Sequence, residues 1–100
     1  MLTEELQKNP ASKKALGTYA KQLGVSERSL IRMIRSETGM TFRELRRHCR
    51  IMVAIEKLSD GDQITRVALE VGFETPSAFS QSFRIVTGET PRQFLKTEEP

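Results

Sequence analysis

Tryptophan is absent from this 100-residue chain, and tyrosine, cysteine and histidine occur once each. With 6% aromatic residues, any core has to be built mainly from aliphatic side chains. The lone Cys49 excludes an internal disulfide and a cysteine-based zinc site, and the lone His48 has no partner at metal-ligand spacing. Cys49 reads instead as a small core residue. No apolar run approaches the ~20 residues of a membrane helix, and no apolar block of the signal-peptide kind stands near the start. Nor is there a Ser/His/Asp set, a paired-carboxylate constellation or a glycine-rich phosphate loop. These absences predict no catalytic residue, no metal and no cofactor, no membrane partner, and a home in the reducing cytoplasm.

What the chain does contain is one short pattern written twice. Ala20-x-x-x-Gly24-Val25-Ser26 precedes apolar Leu30 and Ile34, and Ala68-x-x-x-Gly72-Phe73-Glu74-Thr75 precedes apolar Phe79 and Phe83. Each copy reads as a short helix stopped at a glycine, a tight turn, and a second helix opened by a hydroxyl residue. That is a helix-turn-helix in sequence, whose usual partner is double-stranded DNA. Charge follows the same division. The chain carries a net +3, but residues 1–50 hold +6 and residues 51–100 hold −3. Seven arginines against two glutamates between Arg28 and Arg50 suit a polyanion-facing surface, with a solvated helix face as the alternative.

Periodicity extends the reading to about seven helices and no strand, an all-α chain. Leu2 to Asn9 suits a short helix closed by Asn9-Pro10. Leu16, Tyr19, Ala20 and Leu23 form the apolar stripe of a second helix, begun at Ser12 or nearer Ala15. In the third helix Val25, Leu30, Met33 and Ile34 are expected inward, and Glu27, Arg28, Ile31, Arg32 and Arg35 outward. Thr41 caps a long helix from about Phe42 to Leu58, with Phe42, Leu45, Cys49 and Met52 on one stripe and Ile51, Ile55 and Leu58 on another. A helix apolar on both sides is expected to join two subdomains. The organisation predicted is therefore a first helix-turn-helix subdomain over 1–40, a linker helix over 41–60 and a second helix-turn-helix subdomain over 61–97. Within the second, Ile64 to Val71 and a helix from Thr75-Pro76 to Gly88 repeat the plan, and Thr90-Pro91 opens a last short helix.

Chemistry then assigns roles. Arg28 and Arg32 lie one turn apart and can each offer a guanidinium fork to guanine O6 and N7. Ile31 shares their face and suits a thymine methyl, or is a scattered exposed hydrophobe. In the second copy Ser77, Ser80 and Gln81 face outward, and Gln81 fits adenine. Phosphate contacts are expected from Arg35 and from the capped helix starts at Ser26, Thr41 and Thr75-Pro76. Arg84 and the linker-helix arginines Arg43, Arg46, Arg47 and Arg50 complete that set. For any one linker arginine, pairing with Glu44 or plain solvation is the alternative. The less basic second copy is expected to refine register while the first supplies most of the affinity.

The runs Leu23 to Gly39, Val67 to Phe83 and Gly88-Glu-Thr-Pro-Arg92 closely resemble the AraC/XylS family of bacterial transcription regulators, over roughly residues 12 to 96. The resemblance implies two helix-turn-helix subdomains on a rigid linker helix, with recognition helices entering successive major grooves on one face of the duplex. It puts the recognition positions at Arg28, Ile31 and Arg32, and at Pro76, Ser77, Ser80 and Gln81. Ile31 departs from the family, whose members often carry a polar residue there. By family habit the chain would be an activator working with RNA polymerase. Members usually carry a separate sensor or dimerisation domain before the DNA-binding one, so an excised C-terminal portion is expected here, with a stand-alone short regulator as the alternative. Two other classes stay open: a helical protein-interaction module with a basic face, and the regulatory appendage of an enzyme.

Overall fold

The computed structural model describes residues 2–98, so residues 1, 99 and 100 of the expected domain lie outside the described part. Seven helices follow one another: α1 (Leu2–Lys8), α2 (Leu16–Leu23), α3 (Glu27–Thr38), α4 (Phe42–Ser59), α5 (Ile64–Glu70), α6 (Pro76–Thr87) and α7 (Pro91–Glu98). No strand occurs among the described residues.

Local chemistry sets the boundaries. Ser26 opens α3 by accepting a hydrogen bond from the Ser29 N–H, and Thr75 opens α6 by accepting from Ala78 with Pro76 in the first helical position. At α4 the cap is reciprocal. The Thr41 hydroxyl accepts from the Glu44 N–H at 3.1 Å, and the Glu44 carboxylate accepts from the Thr41 N–H at 2.9 Å. These bonds hold the Glu44 carboxyl below its ordinary pKa: the Thr41 backbone N–H first, then its hydroxyl, then the charges of Arg35 and Arg47. Helix α2 begins only at Leu16, because Ala15 offers no side-chain cap and the Ser12 hydroxyl is bonded to Tyr19 and the Lys14 N–H. Helix α5 ends at Glu70, one residue short of Val71, which caps it.

Two separate clusters of buried side chains carry the packing. Leu2 and Leu6 of α1, Tyr19 and Ala20 of α2, Leu30 and Ile34 of α3, and Leu45 and Cys49 of α4 form the first. Ile51, Ala54 and Leu58 of α4, Val67, Ala68 and Val71 of the α5 region, and Phe79 and Phe83 of α6 form the second. Phe79 is the hub of an aromatic run, 5.4 Å from Phe73 and 5.7 Å from Phe83, which in turn is 5.5 Å from Phe94 of α7.

Helix α4 thus serves both clusters, its first half buried in one and its second half in the other. At 1.5 Å per residue its 18 residues span about 27 Å and make one rod of the whole molecule, which measures 46 × 22 × 21 Å. Three apolar expectations are corrected. Met52 packs against the second cluster, not with Phe42 and Cys49, because it lies past the point where α4 changes partners. Leu23 and Met33 are 43% and 42% exposed, since nothing among the described residues covers that edge of α2 and α3. They rim a groove of about 140 Å³ floored by Leu2, Leu30, Ile34 and Leu45.

Candidate nucleic-acid interface

Helix α3 turns Leu30 and Ile34 into the core, so the 3.6-residue repeat leaves Arg28, Ile31, Arg32 and Arg35 along the opposite side. All four are exposed, Ile31 at 53%. Among the described residues neither Arg28 nor Arg32 is held by an internal ion pair, whereas Arg35 reaches the Gly39 carbonyl at 3.5 Å from the helix end. Two free guanidinium forks flanking an aliphatic side chain make a narrow ridge able to meet base edges.

Helix α6 repeats the geometry with other chemistry. Burial of Phe79 and Phe83 leaves Pro76, Ser77, Gln81 and Arg84 exposed and Ser80 half-buried. Ser77 and Ser80 line a shallow groove with Pro76, Thr65 of α5, Thr90 just before α7 and Arg92 of α7. Arg92 was not assigned a role from the sequence, yet it stands exposed on this face. Its signal was there, since Thr90-Pro91 starts a helix and sets the next residue on its exposed first turn beside the preceding element.

The helix starts are partly spent. The hydroxyls of Ser26, Thr41 and Thr75 each accept from their own helix, so what they offer an anion is the remaining free amides of the first turn. Arg43 is exposed on the first turn of α4. Arg47 is half-buried beside Glu44, His48, Met40 and, across from α6, Ile85 and Val86.

Arg46 and Arg50 correct the sequence expectation, because both are half-buried and bonded to main-chain carbonyls of the segment before α2. Arg50 Nε donates to the Pro10 carbonyl at 2.7 Å and its Nη2 to the Ser12 carbonyl at 3.1 Å. Arg46 donates through Nη2 to the Lys14 carbonyl, while its guanidinium lies 4.6 Å from the Phe42 ring centre. Burial, and then the neighbouring charge of Arg46, draw the Arg50 pKa below its ordinary value. The donors spent on these carbonyls are not open to a phosphate. Cys49 is buried and its thiol pKa is pushed up by desolvation, which makes it a poor nucleophile.

Charge on the second copy is quenched locally. Lys57 and Arg66 both pair with Glu70, at 3.0 and 3.4 Å, and Lys13 pairs with Glu74 at 3.0 Å. The exposed arginines outside these pairs are Arg28, Arg32, Arg35 and Arg43 on α3 and the start of α4, and Arg84 and Arg92 on α6 and α7. Among the described residues no helix is long and apolar enough to cross a membrane, and no group of His, Cys, Asp or Glu is placed to hold a metal.

Comparison with known proteins bears on this geometry. A family profile described as a helix-turn-helix domain matches residues 19–97. The HTH-type transcriptional regulator NimR of Escherichia coli K12 is 34% identical over 94 residues, covering 94% of this chain and 34% of NimR. The HTH-type transcriptional activator RhaR of Salmonella arizonae is 36% identical over 81 residues, covering 80% of this chain and 29% of RhaR. The chain thus spans about a third of the length of these relatives. Among solved structures, the C-terminal domain of AraT, a response regulator from Geobacillus stearothermophilus, superposes with a TM-score of 0.83 at 33% identity, covering 98% of this chain and 83% of that one.

Proposed function

This chain belongs to the AraC-type helix-turn-helix family, and on that premise we propose that it binds double-stranded DNA sequence-specifically, as the DNA-binding domain of a bacterial transcription regulator. The observation that carries the reading is the repeated one. Two glycine-ended, hydroxyl-capped helix pairs hang from one rod, and the outer helix of each presents an exposed polar face.

In this reading α3 and α6 lie in successive major grooves on one side of the duplex. The grooves recur about every 34 Å, and the molecule's 46 Å long axis spans that repeat. Arg28 and Arg32 read guanine, Ile31 packs on a thymine methyl, and Gln81 with Ser77 and Ser80 reads the second groove. Arg35, Arg43, Arg47, Arg84 and Arg92, with the helix starts at Ser26, Thr41, Thr75 and Pro76, hold the flanking phosphates. Exposed Arg28, Arg32, Arg35 and Arg43 lie on the first copy and the start of α4 against Arg84 and Arg92 on the second, where Glu70 and Glu74 add negative charge, so the first copy supplies most of the affinity. The domain works by binding, not catalysis, in the cytoplasm where bacterial DNA lies. An activator role is supported by RhaR, which is named an activator. RNA polymerase is then the protein partner, and a sensor or dimerisation domain belongs to the full regulator.

Selection of bound duplexes from a randomised ~30-bp library tests the reading. Two enriched blocks about one helical turn apart support it in full. A single block overturns the bipartite part, and no enrichment over a shuffled protein control overturns sequence-specific binding.

A further inference from the structure

The segment between α1 and α2 leaves α1 through a turn and lies across α4, and its carbonyls at Pro10, Ser12 and Lys14 all accept from α4 arginines. By position this segment belongs to the first half of the chain. Yet Ala11 meets the turn of the second copy: a side-chain carbon at Gly72 would come within 2.8 Å of the Ala11 Cα and 3.0 Å of the Arg50 Cζ. The Arg50 guanidinium also lies 5.7 Å from the centre of the Phe73 ring, and Lys13 pairs with Glu74. Arg50 grips the strap and the second turn together from half-buried ground, whereas the Lys13–Glu74 pair beside it is exposed.

We infer that Arg50 is a positioning residue for DNA recognition: it braces the second helix-turn-helix against the strap, and so fixes the angle and distance at which α6 stands from α3. The proposal rests on the bipartite binding reading above. Without the brace, the two halves are joined by α4, by the exposed Lys13–Glu74 pair, which is weak in water, and by side-chain packing that tolerates small rotations. A half-buried guanidinium bonded to two carbonyls does not, because any displacement strands a desolvated charge. The brace matters for binding because two linked contacts reinforce each other only where the linkage presents both at once. Each base pair added between two half-sites turns the second about 34° around the duplex and moves it ~3.4 Å along it. A stiff linkage rejects such changes and a loose one follows them.

The experiment measures Kd for the wild-type chain, Arg50→Met and Arg50→Lys on the selected two-block duplex, on versions with one or two base pairs inserted or removed between the blocks, and on the first block alone. A urea transition for each variant confirms folding. Wild type is expected to lose about tenfold or more with two base pairs inserted, and Arg50→Met less than about threefold, with first-block affinity equal for both. Lysine keeps the charge but cannot hold both carbonyls, so Arg50→Lys is expected to fall between them and serves if the Met variant does not fold. Variants that keep the wild-type spacing profile, at whatever overall affinity, overturn the positioning role. A wild-type protein indifferent to spacing overturns the bipartite reading itself.

Discussion

Gly24 and Gly72 occupy the same place in the two copies, and replacing each with alanine separates backbone strain from the contact between strap and second turn. Gly24 has φ +71° and open space where a Cβ would go. Its replacement therefore costs only the left-handed conformation, about 1–2 kcal/mol. Gly72 has φ +104°, further from the left-handed well, and its Cβ would stand 2.8 Å from a backbone atom that no side-chain rotation can move aside. Strain of about 1–3 kcal/mol is joined there by an overpacking cost of about 1–3 kcal/mol. Both substitutions stiffen the unfolded chain by the same ~0.4–1 kcal/mol, which cancels in the comparison. At the middle of these ranges Gly72→Ala should then be less stable than Gly24→Ala by about 2–3 kcal/mol. Urea unfolding of the two variants, read by helical circular dichroism, measures the gap directly. In thermal melts each kcal/mol is worth about 4–8 °C for a domain of this size. If Gly72→Ala unfolds at the same urea concentration as Gly24→Ala, the strap does not press on the second turn and the argument from Arg50 loses its footing.

Other outcomes follow from the same geometry. Phe79→Ala empties the middle of the aromatic run at a fully buried site and should cost about 3–5 kcal/mol in the same assay. Arg32→Ala should weaken DNA binding clearly more than Gln81→Ala in a fluorescence-anisotropy titration; equal losses would contradict the dominance of the first copy. The slope of log K against log salt should shrink by about 0.9 when the exposed Arg43 becomes alanine and stay unchanged for Arg46→Met, whose guanidinium is turned inward. Glu44 has a lowered folded pKa, so its contribution is complete above the ordinary value of 4.5 and is lost as pH falls through the folded value. The Tm advantage of wild type over Glu44→Gln should accordingly shrink between pH 7 and pH 3, and a constant difference would show that the carboxylate charge does not strengthen the cap.

Much of the fold was legible because its determinants are local. Gly24, Gly39 and Gly88 take positive φ at helix ends, and Ser26, Thr41 and Thr75 bond to the amide three residues on. Such signals depend on residues within one turn, so they survive in a linear string. The 3.6-residue repeat likewise separates Leu30 and Ile34 from Arg28, Ile31, Arg32 and Arg35 before any coordinates exist. Periodicity, however, states only which residues share a face and not what lies against it.

Leu23 and Met33 sit on apolar stripes and are nonetheless exposed, because the described helices stop short of that edge. Arg46 and Arg50 look like members of one basic row with Arg43 and Arg47, and no sequence signal separates them. What separates them is a strap of main-chain carbonyls laid across α4, and carbonyls are the same in every residue. The sequence by itself therefore determined the helices, their ends, the repeat and the exposed ridge of α3. Only the tertiary structure decided which arginines face outward and which hold the two halves together, since that choice depends on the backbone brought across α4 from more than thirty residues away.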